Sequence, residues 1–441
     1  MEPIDFKKPT FVIATEEWSG LGWAKLCADA GFPVVLACKK KEGDDNENYE
    51  AVGQGIISIM ELEQALKDSN LKTAYWVWDQ NHNPDIAEGL RAKGYKVFGG
   101  HALTDKMEHD RNFGTSLVQK AGLQVPETQE FDSVAEAVAF MEENQDRAFV
   151  FKPDDPDDEA WVTTVPDNEL DDKANEEIRQ FLESMPEGKG TFILQERKKG
   201  VEINIEVWLY EGKPFFAHAN FECKRKYNHD LGRLIGCAQD VEFVIRLDSK
   251  ILEDTLLKLL DLPEFKSFTG MVDMNLIVAD REYYFLEFCG RFGYNSHPNL
   301  FLNLGIDPFP VIMMDFMEGR TADFYNHFRT GFGASILMTI DDPVKGLPFL
   351  IPEHIEKCFY FYDVYSEGFG SFCLAGYAGE VGVVCGHDYD LKSAADKALD
   401  NFYKIHYPGR AGRTDINLVD YLTNPYERWV ACEAMRLFDK I

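Results

Sequence analysis

Over its first hundred or so residues the chain repeats one rhythm: a short apolar run, a helix-like stretch, another apolar run. FVIAT (11–15), PVVLAC (33–38), AYWVWD (74–79) and YKVFGG (95–100) read as strands. SGLGWAKLCADAG (19–31) reads as a turn and a helix stopped by Gly31, and DIAEGLRAKG as a helix before the last strand. Strands separated by whole helices are joined by crossovers, so this rhythm predicts a parallel sheet with helices on its faces.

The pattern then changes. DKMEHDRNFGTSLVQKAG (105–122) reads as one long helix and SVAEAVAFMEENQ (133–145) as another. AFVFK (148–152) is a strand ending in lysine, followed by the acidic PDDPDDEAW. TFILQE (191–196), INIEVWL (203–209) and FFAHANF (215–221) are strands, and SKILEDTLLKLLD (249–261) is a helix. MVDMNLIV (271–278) and YYFLEFCGRFG (283–293) are two more strands joined through ADRE. From about Gly333 four further strand-like runs precede the helix SAADKALDNFYKI (393–405). The fold class is therefore α/β followed by α+β, in several domains, as 441 residues require.

A formal charge of −31 argues against nucleic-acid backbone and anionic membrane as partners. The nine cysteines are scattered, odd in number and without a CxxC pair, which disfavours zinc and a disulfide framework. MEPIDFKKPTFVIAT has no apolar signal core, and no run approaches a membrane span. The expectation is a reduced, cytoplasmic, soluble protein.

The strand 283–293 runs into Glu287, then Cys289, Gly290, Arg291 and Gly293. A carboxylate at a strand end can hold a divalent ion that neutralises phosphate charge, and a turn salt bridge is the alternative. Lys152 ends another strand. Lys224 and Arg225 form a basic pair after a third, rare in so acidic a chain. Glu108 lies three residues before Arg111 and is its potential helix-face partner.

The order of these pieces resembles an ATP-grasp enzyme, and more specifically the phosphoribosylamine–glycine ligase family. VFGGHALTDKMEHDRNF, FKPDD, LQERKKGVEINIEV, ECKRKYNHDLGRLIG, FTGMVDMNLI with YYFLEFCGRFG, and GRTDI resemble that family's segments in the right order. The resemblance implies an ATP-grasp fold with a Rossmann-like domain at 1–103 and an ATP-grasp core at 104–332. Residues 148–200 would belong to the core's smaller lid, and a β-rich C-terminal domain with a terminal helix would fill 333–441. It implies ATP bound by Arg111, Lys152, Glu196 and Glu202, with the two glutamates on the adenine amine and ribose hydroxyls. It implies Lys224 and Arg291 as catalytic residues, and Mg²⁺ (Mn²⁺ as the alternative) at Glu287, Asn275 and Asp273. The implied reaction phosphorylates a carboxylate, glycine or another amino acid, and an amine acceptor attacks the acyl-phosphate. A monomer or homodimer is expected.

The chain departs from the family in two ways: the substrate-phosphate loop is not preserved, which points to a changed acceptor, and the acidic loop, Asn275 and Cys289 favour a silent scaffold. DDPDDEAWVTT replaces a glycine-rich phosphate-covering loop, and carboxylates repel phosphate. Arg111 stands for a lysine, Cys289 for an asparagine, and Asn275 for an acidic residue. The loop that would hold the substrate phosphate reads TEEWSGLGWAK, with two glutamates ahead of its remaining glycines. A second reading is a catalytically silent ATP-grasp scaffold that binds a partner or small ligand. A dinucleotide oxidoreductase rests on SGLG alone, since G-x-G-x-x-G is absent.

Overall fold

Five parallel strands open the chain: β1 (Phe11–Thr15), β2 (Val34–Cys38), β3 (Ile59–Glu61), β4 (Tyr75–Trp78) and β5 (Lys96–Phe98). The structure, a computed structural model, describes residues 8–41, 44, 46–153, 171–185, 191–279, 281–368, 371–417, 428, 429 and 432. The strands are ordered β3-β2-β1-β4-β5, with Phe11 opposite both Val34 and Tyr75. The helices α1 (Leu21–Asp29), α2 (Leu62–Lys67) and α3 (Pro84–Ala92) follow β1, β3 and β4. β1 is buried on both faces, which is why its residues are continuously apolar rather than alternating. β3 has no apolar run; it is an edge strand held by its register on β2, Leu36 opposite Ile59. Strand order reverses between β1 and β4, so their carboxyl ends open a crevice, the usual ligand position of such sheets.

The stretch 105–122 is two helices, not one. Asp110 leaves helical geometry (φ −101°, ψ 87°) between α4 (Ala102–His109) and α5 (Arg111–Lys120). Its carboxylate accepts from the Phe113 N–H at 2.9 Å and caps α5. The expected helix 249–261 also breaks, at Thr255 (φ −129°, ψ −94°), giving Lys250–Asp254 and Leu256–Leu260.

Next come β6 (Thr128–Phe131), α6 (Val134–Glu143), β7 (Phe149–Pro153), α7 (Asp171–Ser184) and β8 (Phe192–Glu196). The strands form an antiparallel sheet, β6-β8-β7, with its own core of Phe149, Phe151, Ile178, Leu182 and Phe192. The acidic loop expected after it, with Asp154, Asp155, Asp157, Asp158 and Asp167, lies outside the described residues.

The largest sheet is built from β9 (Val201–Tyr210), β10 (Lys213–Tyr227), β11 (Leu231–Val244), β12 (Gly270–Ala279), β13 (Glu282–Glu287) and β14 (Phe332–Thr339). Then follow β15 (Pro348–Phe349), β16 (Phe359–Phe361), β17 (Val364–Gly368), β18 (Ser371–Leu374) and β19 (Glu380–Asp388). The eight-stranded order is β13-β12-β9-β10-β11-β14-β19-β16, and β15, β18 and β17 form a small separate sheet. β14 pairs directly with β11, Ser335 opposite Asp240, so strands after Gly333 extend the sheet begun at β9.

The faces of this sheet differ in kind. Ile203, Ile205 and Val207 of β9, Phe221 of β10 and Met274 of β12 join the main apolar core. Two-residue alternation turns Glu202, Asn204 and Glu206 of β9, His218, Asn220, Glu222 and Lys224 of β10, and Asp273 and Asn275 of β12 to the opposite face.

Candidate active site

Because β10 extends to Tyr227, Lys224 and Arg225 are not a basic pair following a strand. They lie within it, at an irregular stretch of the β10–β11 register, and take different partners. Lys224 makes ion pairs with Glu202 (2.7 Å) and Glu287 (2.8 Å). Arg225 turns to the Gly232 carbonyl at the β10–β11 hairpin end (2.9 Å). The alternative of a Glu287–Arg291 turn salt bridge is corrected here: Glu287 pairs with Lys224, and Arg291 with Glu108 of α4 (3.3 Å). Arg111 does not hold Glu108 on a shared helix face, because the break at Asp110 separates them; Glu108 also accepts from Asn81 (2.8 Å).

Lys152 reaches the same place from β7. Burial, with Arg111 and Lys224 nearby, pushes its pKa down despite Glu287 and Glu202. Lys224 is half-buried, yet Glu202, Glu287 and Glu222 outweigh its desolvation and hold its pKa well above the usual lysine value. In return Lys224, against burial and helped by Lys152, lowers the Glu287 carboxyl to about 2. The site thus alternates fixed positive and negative charges: Lys152, Arg111 and Lys224 around Glu202, Glu222 and Glu287.

Asn275 donates to Glu287 Oε1 (3.2 Å), while its own buried Oδ1 has no hydrogen-bond partner. Asp273 accepts from the Cys289 N–H (3.2 Å), and burial raises its pKa well above the carboxylate range. Burial likewise keeps the Cys289 thiol protonated. Glu196, at the end of β8, pairs with Lys198 at 2.7 Å rather than with Lys152 or Lys224. The structure therefore brings Lys152, Arg111, Lys224, Glu202, Glu287 and Asn275 together, sets Asp273 below them, and holds Glu196 in a separate pair.

Sequence reasoning missed several members. Glu222 lies two residues before Lys224, is half-buried with its pKa raised by desolvation, and accepts from Asn220 (3.1 Å). The alternation of HANFECK was the available signal. Glu108 fixes Arg291 and carried none, being one of many acids on a helix. The Arg291 guanidinium lies over the Tyr294 ring, 5.0 Å from its centroid.

Deeper in the same face sits an ionic network. His218 lies between Glu242 (Nδ1, 2.8 Å) and Glu206 (Nε2, 3.0 Å); these carboxylates overcome burial and raise it to about 10. His297 Nε2 also faces Glu206 (3.2 Å). Ligand atoms of Glu206, His218 and His297 lie within 4.8 Å of one another, which is metal-like spacing. The protons argue otherwise. The Gly293 N–H donates to His297 Nδ1 (2.8 Å), which leaves the proton on Nε2 and no lone pair there for a cation. This is a buried charge network, not a metal centre.

No family model matches the chain. The phosphoribosylamine–glycine ligase of Lactococcus lactis subsp. lactis (strain IL1403) is 24% identical over 265 residues, 56% of this chain and 61% of that protein. The chain thus spans less than two thirds of the length of that curated relative. The crystal structure of phosphoribosylamine–glycine ligase from Thermotoga maritima matches with a TM-score of 0.68 at 18% identity, covering 92% of this chain and 99% of that one. Campylobacter jejuni biotin carboxylase matches with a TM-score of 0.59 at 14% identity, covering 95% and 96%. The fold is that of the ATP-grasp proteins, and within it the chain resembles phosphoribosylamine–glycine ligase at low identity.

Proposed function

We propose that the chain is an ATP-dependent carboxylate–amine ligase that forms an amide through an acyl-phosphate, with an acceptor other than phosphoribosylamine. One observation carries this reading: Lys152 of the lid sheet, Arg111 of α5, and Lys224, Glu202 and Glu287 of the large sheet share one electrostatic environment. That arrangement suits a polyphosphate held between two sheets, where transfer is helped mainly by positioning and by fixed positive charge.

In this reading Lys152 and Arg111 bind phosphate oxygens of ATP, Arg111 by its guanidinium fork. Glu202 accepts from the ribose hydroxyls. Glu196 accepts from the adenine amine once Lys198 releases it. Lys224 and Arg291 face the transferred group; Glu108 and Tyr294 keep the guanidinium oriented. The oxygen donors fit a hard divalent ion: Glu287 is ionised and the buried Asn275 Oδ1 has no partner. Glu287 and Asn275 would hold Mg²⁺ or Mn²⁺, which when bound neutralises phosphate charge. Asp273 fits poorly, since burial favours its neutral form. The domain division at 1–103, 104–332 and 333–441, with 148–200 in the lid, belongs to the same proposal.

The second reading, a silent scaffold, draws on the pairing of Glu287 with Lys224 and of Glu196 with Lys198, which already satisfies these carboxylates. Calorimetry with ATP–Mg²⁺, followed by a coupled ADP-release screen over amino acids and amines, separates the two. Turnover with any carboxylate–amine pair supports the ligase. ATP binding without turnover moves the assignment to the scaffold, and no ATP binding removes the nucleotide site.

A further inference from the structure

The apolar run of β4 gives way to three polar residues, Asp79, Gln80 and Asn81, and all three are buried. Burying a polar side chain costs free energy unless it finds partners, so the partners show what this segment does. Asp79 turns to the neighbouring strand, accepting from Thr15 of β1 (2.7 Å) and from Ser19 just beyond it (2.5 Å). Gln80 and Asn81 reach further. The Gln80 amide nitrogen donates to the Ser19 hydroxyl (2.9 Å) and to the Tyr294 hydroxyl (2.8 Å), while its oxygen meets His82 Nε2. The Asn81 amide nitrogen donates to Glu108 Oε2 (2.8 Å), and its oxygen accepts from the Thr104 hydroxyl of α4 (3.1 Å). Both amides use nitrogen as donor and oxygen as acceptor, so these partners fix which way each amide points.

Tyr294 and Glu108 bear on one side chain. The Arg291 guanidinium lies over the Tyr294 ring, and its Nε donates to Glu108 Oε1 (3.3 Å). Glu108 is therefore shared, one oxygen taking Asn81 and the other Arg291. A carboxylate bonded at one oxygen can turn about its last bond; bonded at both, it turns only by losing both. Arg291 Nη1 donates to the Phe292 carbonyl (3.2 Å), and among the described residues Nη2 makes no hydrogen bond, which leaves that nitrogen to face a ligand. The backbone beneath is held from other directions. The Cys289 N–H donates to Asp273 and the Gly293 N–H to His297. Gly290 lies so close to Thr104 that a Cβ there would stand 2.4 Å from the Thr104 Cβ. The large sheet thus fixes where the loop runs, and the end of β4 fixes where its guanidinium points.

We propose that Gln80 and Asn81 are positioning residues for phosphoryl transfer: acting through Tyr294 and Glu108, they set the direction of the Arg291 guanidinium. A guanidinium helps transfer most when it is aimed before the group moves, and a small misplacement costs much of the rate. The inference rests on the ligase reading in one respect, that Arg291 faces the transferred group; the hold on Arg291 stands on its own geometry.

The test reads Arg291 directly and then reads turnover. In the full chain with isotope-labelled arginine, the Arg291 Nε–H resonance, assigned with Arg291→Lys, is recorded for wild type, Gln80→Leu and Asn81→Leu. Wild type should give one sharp signal that exchanges slowly with water. Each variant should broaden it and speed its exchange by about tenfold or more, with circular dichroism unchanged. ADP release, with the carboxylate–amine pair that gives turnover, should fall about tenfold or more in kcat while the KM for ATP stays within about twofold. Tyr294→Phe deletes only the hydroxyl that Gln80 holds, and adding it to Gln80→Leu should lower kcat little further, since both break one link. It gives the same reading should a buried change keep the chain from folding. An Arg291 signal that neither variant alters overturns the proposal. So do effects of Gln80→Leu and Tyr294→Phe that multiply, or a loss confined to the KM for ATP. If the signal responds but wild type neither binds ATP–Mg²⁺ nor turns over any pair, the hold on Arg291 stands and the ligase reading falls, taking the role in transfer with it. Turnover with an unaltered signal keeps the ligase and drops the positioning role.

Discussion

Glu287 is ionised because Lys224 sits on it, and this pairing sets what its replacement will do. Glu287→Gln keeps the shape but removes the charge. In a ligase we expect ADP release to fall by about 10²–10³-fold or more, since the carboxylate that would hold the phosphate-neutralising divalent ion loses its charge. Its side chain is 49% exposed, so the Lys224 pair contributes only about 1 kcal/mol or less to stability. The pH sign follows from the lowered pKa. The pair's contribution is complete above the ordinary value of 4.5 and is lost as pH falls through about 2. Melting curves of wild type and Glu287→Gln should therefore converge toward pH 2. A difference that persists there, or turnover that survives the change, would remove Glu287 from the site.

Elements add constraints that single residues do not show. The polar face of β9, β10 and β12 is held from below by His218 between Glu206 and Glu242. His218→Leu leaves buried Glu242 without its histidine and Glu206 with only His297 and the Trp208 indole N–H, and should cost about 3–5 kcal/mol, read from chemical denaturation. The raised pKa of His218, about 10, means its contribution is full below 6.5 and is lost as pH rises through about 10. Glu242, raised to about 7 chiefly by burial, acts in the same direction. The stability gap between wild type and His218→Leu should therefore narrow from pH 6 to pH 10; a constant gap would mean His218 is not the ionic centre. At α1 the constraint is steric. Gly22→Ala drives a methyl into the Tyr360 ring and should cost about 1–3 kcal/mol, visible as a lowered melting temperature.

Across the whole molecule, the proposed nucleotide site joins two separate sheets: Lys152 lies on the three-stranded β6-β8-β7 sheet, and Lys224 and Glu287 on the large one. A ligand that bridges them binds the folded chain and not the unfolded one. ATP–Mg²⁺ at a hundred times its dissociation constant should then stabilise by about 2.7 kcal/mol, as a rise in melting temperature. Lys152→Met should abolish most of that rise while barely changing the melting temperature without nucleotide. An equal rise in wild type and Lys152→Met would put the nucleotide elsewhere.

What the sequence determined by itself is whatever depends on neighbours along the chain. Apolar runs and glycine stops marked β1, β2, β4 and β5 and the helices between them, because burial and backbone freedom leave local signatures. The ordered motifs marked Lys152, Lys224, Glu287 and Arg291 as residues worth locating. Partners were decided only by tertiary structure. Glu287 and Arg291 look paired four residues apart, yet β13 ends so that one meets Lys224 and the other Glu108. Lys224 and Arg225 look like a basic pair, yet one meets Glu202 and Glu287 and the other the Gly232 carbonyl. The helix at 105–122 divides at Asp110, where a side-chain cap outcompetes helix continuation. The hold on Arg291 draws on Gln80 and Asn81, far from it in the chain, so no local pattern could reveal it. Charge pairing depends on distance in space, and that distance exists only once the sheets have closed on one another.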